Sequence, residues 1–220
     1  WTYASADRWI PDWLRPRIKF FPVGEKSQCP YFLDPEFLTT WQGFIRALGK
    51  RYAGHPALEH VLVTCGGHYA LTTGSVGEAG EQAARWLKER YGYTMEAHLH
   101  AGERAFDLYA ECFPDKPLAH AVMQSNRYAD DALSLVERIL KQHGSRVRLQ
   151  TENLNGNGWW RANPYGGGFQ KINHALARSA DRTTIGWQML QHSWTEGAGP
   201  EGKDKGTNGP LETAGRDPGG

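Results

Sequence analysis

Apolar positions in this chain return in two alternating rhythms. Phe37, Trp41, Phe44, Ile45, Leu48 and Tyr52 recur at helical spacing, so residues 35–52 read as a helix with one apolar face. Asp34 is placed to cap it and Pro35 to open its first turn. The same rhythm predicts a short helix over Glu78–Tyr91. A third helix starts at the cap Thr94, with Met95, Leu99, Gly102, Phe106, Tyr109 and Phe113 on its buried side. A fourth spans Asp130–His143 and is stopped by Gly144, and a fifth spans Gly168–Ser179. Between the helices lie short apolar runs that read as strands: Arg17–Val23, Leu58–Cys65, Pro117–Met123, Arg146–Glu152 and Thr183–Leu190.

Strand and helix alternate with no hairpin signal recognised between them, which predicts one parallel sheet with right-handed crossovers. The run from Leu58 to Tyr69 is the most informative: an apolar strand ends abruptly in Gly66, Gly67 and His68. In βα units of a barrel, chemistry sits just past the strand end. The fold class expected is α/β, a partial (β/α)8 TIM-like parallel barrel of about five βα units over residues 1–196. From Gly197 to Gly220 apolar residues almost vanish, so this stretch is expected to be a disordered tail rich in Gly, Pro and charge.

Composition narrows the function classes. With 25 basic and 24 acidic residues the net charge is +1, giving no electrostatic reason to expect nucleic acid or an anionic membrane as partner. No apolar run approaches the roughly 20 residues of a membrane-spanning helix. The first residue is Trp1, with neither a methionine nor an apolar leader, which has the look of a trimmed start. Three cysteines, Cys29, Cys65 and Cys112, argue against a disulfide framework and favour a cytoplasmic setting without fixing the compartment. Cys65 reads as a small core residue. Nine Trp, nine Tyr and eight Phe are more telling, because Trp1, Trp9, Trp13, Trp159, Trp160 and Trp194 fall near predicted loops. Flat rings there either stack on sugar faces or cap the core.

The order of several short motifs resembles the catalytic barrels of the glycosidase clan that includes β-galactosidases and cellulases. They are Asp34-Pro35-Glu36-Phe37, Trp41 with Phe44, Leu48 to Tyr52, and His55-Pro56-Ala57-Leu58 running into the strand to Gly67. Phe113 to Leu118 and Ile185-Gly186-Trp187-Gln188 follow. The resemblance implies that Leu58–Cys65 matches strand four, which ends in the acid/base carboxylate, and that Ile185–Leu190 matches strand seven, which ends in the nucleophile. Here those ends carry Gly67 with His68, and Gln188. Retaining hydrolysis needs two carboxyl groups about 5–5.5 Å apart, and an amide cannot serve as one of them. Glu152 is the acid placed on the expected face. Five strands also fall short of the eight of a closed barrel, so association of two or more copies is expected to complete it.

Three functional expectations follow. The first is a hydrolase on a glycosidase-like scaffold with degraded or replaced carboxylates, using Glu152, His68 and Gln188, with a loop acid such as Glu78 as a possible second carboxyl group. Its substrate would be a small molecule or sugar, held by Tyr69, Asn153, Asn155, Trp159, Trp160, Trp187 and Trp194. The second is a zinc-dependent ester or phosphotriester hydrolase. His68, Glu152 and His192 would hold the metal, and a bound water with its pKa lowered to about 7 would attack. The third is a non-catalytic carbohydrate-binding remnant that keeps the aromatic platform.

Other chemistry-bearing residues read as structural. His98 and His100 lie two apart in a helix and point to opposite sides. Glu96, His100, Glu103 and Asp107 share a helix face, which suits either a metal at an interface or a solvated polar surface. His120 reads as a core histidine. Asn153–Gly168 is long for a βα connection and rich in Asn and Trp. Its Gly166-Gly167-Gly168 lacks the Lys-Ser/Thr of a phosphate loop, and Thr73–Gly77 lacks the first glycine of a nucleophile elbow.

Overall fold

The computed structural model of the protein describes residues 10–23, 27–64, 78–122, 129–154 and 167–189. Two strands, β1 (Phe20–Val23) and β2 (Ser27–Pro30), form an antiparallel ribbon. Helix α1 (Pro35–Tyr52) follows, then β3 (Val61–Leu62), α2 (Glu78–Tyr91), α3 (Met95–Cys112), β4 (Leu118–Ala121), α4 (Ala129–His143), β5 (Val147–Leu154), α5 (Gly167–Arg178) and β6 (Ile185–Met189). The last four strands make one parallel sheet in the order β3-β4-β5-β6, which is also their order along the chain.

The helices form where the apolar spacing predicts them. Asp34 accepts hydrogen bonds from the Glu36 and Phe37 N–H groups at 3.0 and 3.1 Å, satisfying two donors that the first turn of α1 leaves open. Thr94 does the same for Ala97 at 3.1 Å ahead of α3. Gly144 adopts φ +58°, a left-handed backbone suited to glycine, and the chain leaves α4 there. Helices α1, α3, α4 and α5 lie side by side in chain order. Their inward residues and one face of the sheet enclose the main core, including Ile45, Leu99, Phe106, Leu118, Leu135, Ile139, Val147, Leu149, Ile172 and Leu176.

Three expectations need correction. The first apolar run does not join the parallel sheet. It opens as a 3-10 turn, Arg15–Arg17, and continues as β1 paired with β2, so among the described residues the parallel sheet has four strands where about five βα units were expected. The missed signal is the three-residue connection headed by Gly24, a spacing that suits a hairpin. The ribbon instead packs with α2 in a second core of Phe21, Cys29, Tyr31, Phe32, Leu87 and Tyr93. The run Leu58–Cys65 pairs over only Val61–Leu62, with one further bond from the Val63 N–H to the Ala119 carbonyl. Finally, Phe44 and Tyr52 lie 58% and 40% exposed rather than on the buried face of α1. Gly49 rather than Tyr52 meets α3, where a Cβ on it would stand 2.6 Å from the Cys112 carbonyl oxygen. Phe44 lies at the margin of the face formed by Trp41, Ile45, Leu48 and Gly49, and Tyr52 ends the last turn of the helix.

Among the described residues no helix is long and apolar enough to cross a membrane. The expected tail, Gly197–Gly220, lies outside the described residues.

Candidate functional site at the carboxyl edge of the sheet

In a parallel sheet all strands end on one edge, so anything placed at several strand ends converges there. Here β3, β4, β5 and β6 bring Leu62, Ala121, Leu154 and Met189 to that edge. Strand β5 is the longest and runs past the end of β4, whose last pair is Ala121 with Gln150. Beyond that point β5 pairs, among the described residues, with β6 alone, Thr151 with Trp187 and Leu154 with Met189. Three steps along β5 match two along β6, so Glu152 and Asn153 together stand opposite Gln188. Bulges of this kind break the regular ladder and often border functional sites.

Four expected site residues are therefore neighbours in backbone register: Glu152 and Asn153 on β5, Trp187 and Gln188 on β6. His68, Tyr69, Asn155, Trp159, Trp160, His192 and Trp194 lie outside the described residues, as does Cys65. The proposed zinc set is thus represented by the backbone of Glu152 alone. Among the described residues, no group of three or more His, Cys, Asp or Glu side chains is arranged to hold a metal ion.

The sheet has two chemically different faces, and alternation along each strand assigns the residues to them. Toward the helices point Leu118, Val147 and Leu149, all in the main core, and His120, whose ring meets Phe106 edge-on at 5.5 Å. The other face holds two rungs, Leu62–Ala119–Arg148 and Ala121–Gln150–Gly186. Ala119 is buried, Arg148, Ala121, Gln150 and Gly186 are half-buried, and Leu62 is 44% exposed. That face combines polar side chains on β5 with small residues on both sides. Arg148 was not among the expected site residues, although the alternation of Val147 and Leu149 with Arg148 and Gln150 is visible in the sequence.

Near the first strand end, Thr64 Oγ1 lies 3.2 Å from the Tyr109 hydroxyl, which ties the exit of β3 to α3. Several titratable groups away from that edge pack or pair within the fold. His98 is buried against the rings of Phe32 and Tyr93, at 5.1 and 6.2 Å, while His100 is exposed, so the two do point apart. The acidic face of α3 is engaged by α4: Arg138 pairs with Glu96 at 2.8 and 2.9 Å and with Glu103 at 3.4 Å. The guanidinium holds the Glu96 carboxyl below its usual range. Asp107 accepts from Gln142 at 2.6 Å.

No known protein family, no curated protein and no solved structure matches this chain.

Proposed function

We propose that this chain is a hydrolase acting on a glycoside or related substrate at the carboxyl edge of its parallel sheet, on a partial TIM-like barrel scaffold. Two features support the scaffold. Strand order equals chain order, and α1, α3, α4 and α5 line up in that same order. That order suits the winding of a (β/α) barrel; a doubly wound sheet reverses strand order partway and places helices on both faces.

The observation that carries the catalytic reading is the register that sets Glu152 opposite Gln188 at adjoining strand ends. Glu152 is a carboxyl group able to give a proton to a leaving oxygen or take one from water. Gln188 can donate and accept hydrogen bonds but has no proton equilibrium near neutrality, so it orients substrate and does not attack. The chemistry then runs through one carboxylate and a water molecule, not through the paired carboxylates of retaining enzymes.

The test is an assay of aryl glycosides and aryl phosphate esters with and without a chelator, on the wild type and on Glu152→Gln. Glycoside cleavage that ignores the chelator and falls at least ~100-fold in Glu152→Gln is the expected result. Chelator-sensitive ester cleavage would replace this reading with a zinc hydrolase built on His68, Glu152 and His192. Sugar binding without any cleavage would leave a carbohydrate-binding remnant.

A further inference from the structure

We propose that Arg148, on the sheet face turned away from the helices, is an anchor for the carboxylate of an acidic sugar. The proposal rests on the hydrolase reading and narrows its substrate to a uronic-acid-type glycoside. The first support is how differently Arg148 is treated from the partly buried Arg138 and Arg146, and from the exposed Arg17 and Arg182. Arg17 pairs with Glu36, Arg138 with Glu96 and Glu103, and Arg182 with Glu137. Arg146 bonds to three backbone carbonyls. Arg148 is half-buried, yet it has no hydrogen-bond or ion partner among the described residues. Withdrawing a guanidinium from water without a partner is unfavourable, and an incoming anion removes that cost.

The second support is the room around it. On β4 the register partners of Arg148 and Gln150 are Ala119 and Ala121, and on β6 the partner of Gln150 is Gly186. A Cβ on Gly186 would meet nothing closer than 3.7 Å. The positions paired beside Arg148 and Gln150 on the neighbouring described strands therefore carry no bulky side chain. Arg148 and Glu152 are four residues apart on that strand, about 13 Å. A ligand entering from the edge with its charged end leading would bring that charge to Arg148 and keep the bond to be cut near Glu152. A guanidinium presents its donors in a planar fork that matches a carboxylate with two parallel hydrogen bonds.

The proposal is tested by calorimetric titration of the full chain with D-glucuronate, D-glucose and inorganic phosphate. Glucuronate should bind at least 10-fold tighter than glucose and phosphate. Arg148→Met should reduce glucuronate to the level of glucose, and Arg148→Lys should recover only part of the preference. Ala121→Leu, which keeps the charge but sets a bulky side chain beside Gln150 on the same face, should weaken glucuronate at least 5-fold and provides an independent variant should Arg148→Met fail to fold. Equal binding of the two sugars, no binding of either, phosphate as tight as glucuronate, or a preference that survives in folded Arg148→Met each overturns it. Acid-selective binding without glycoside cleavage sinks the hydrolase reading and leaves the anchor standing.

Discussion

Arg146 shows how a single side chain secures this fold. Its Nε donates to the Lys116 carbonyl at 3.2 Å, and Nη2 donates to the Ala110 and Phe113 carbonyls at the end of α3. The Ala110 oxygen lies in the last turn of α3, whose carbonyls lack helical partners and carry partial negative charge, and the Phe113 oxygen also accepts from the Lys116 N–H at 3.1 Å. Arg146→Met should therefore cost about 2–3 kcal/mol in urea unfolding, with Arg146→Lys restoring only a fraction. At the end of the next helix, burial lowers the pKa of His143 below 6.5, although Asp107 lies 3.2 Å from Nε2 and pulls the other way. The folded state thus prefers the neutral ring. The unfolded chain takes up this proton near pH 6.5, before the folded chain does. The contribution is intact above that pH, is lost as the pH falls below it, and levels off once the folded ring is protonated too. Urea midpoints measured from about pH 7 to about pH 5 should fall less in His143→Gln than in the wild type.

At the scale of elements, helix packing depends on where glycine allows close approach. Gly49 on α1 sits against Cys112 of α3, and an added Cβ would stand 2.7 Å from the Cys112 Cβ. Gly43 on the same helix has nothing within 4 Å of that position. The two substitutions should have opposite signs. Gly49→Ala forces the helices apart at a cost of about 1–3 kcal/mol, while Gly43→Ala gains up to about 1 kcal/mol from helix propensity. Equal denaturation midpoints for the two variants would show that α1 is not held this closely. Helix existence and caps were legible because they depend on local spacing: Thr94 with Ala97 and Asp34 with Phe37 are contacts within one turn. The hairpin was not recognised, because the apolar run through Phe20 and Phe21 looks the same whether its partner is β2 or a distant parallel strand.

For the whole molecule, the decisive feature is a parallel sheet in which β3 and β6 are the outer strands among the described residues. Outer strands present backbone groups to any partner that can pair with them. Leu62, on the edge strand β3, is 44% exposed. Association of copies at this edge is our proposal for how the sheet is completed. Sedimentation at micromolar concentration should show a dimer or larger species that Leu62→Lys converts to monomer. A wild-type monomer at every concentration would reject it. The candidate site belongs to this scale too. The expected positions Glu152 and Gln188 stand opposite each other because β5 and β6 pair with Thr151 against Trp187, and no local pattern announces that register.

Elements, their caps and the alternation of polar and apolar residues on β5 follow from interactions between residues a few positions apart, and these can be read from the order of amino acids. Pairing partners, the exposure of Phe44 and the small-residue surroundings of Arg148 arise from contacts between residues far apart in the chain. Such contacts form by shape and burial once the helices pack, and many sequence patterns are compatible with more than one of them.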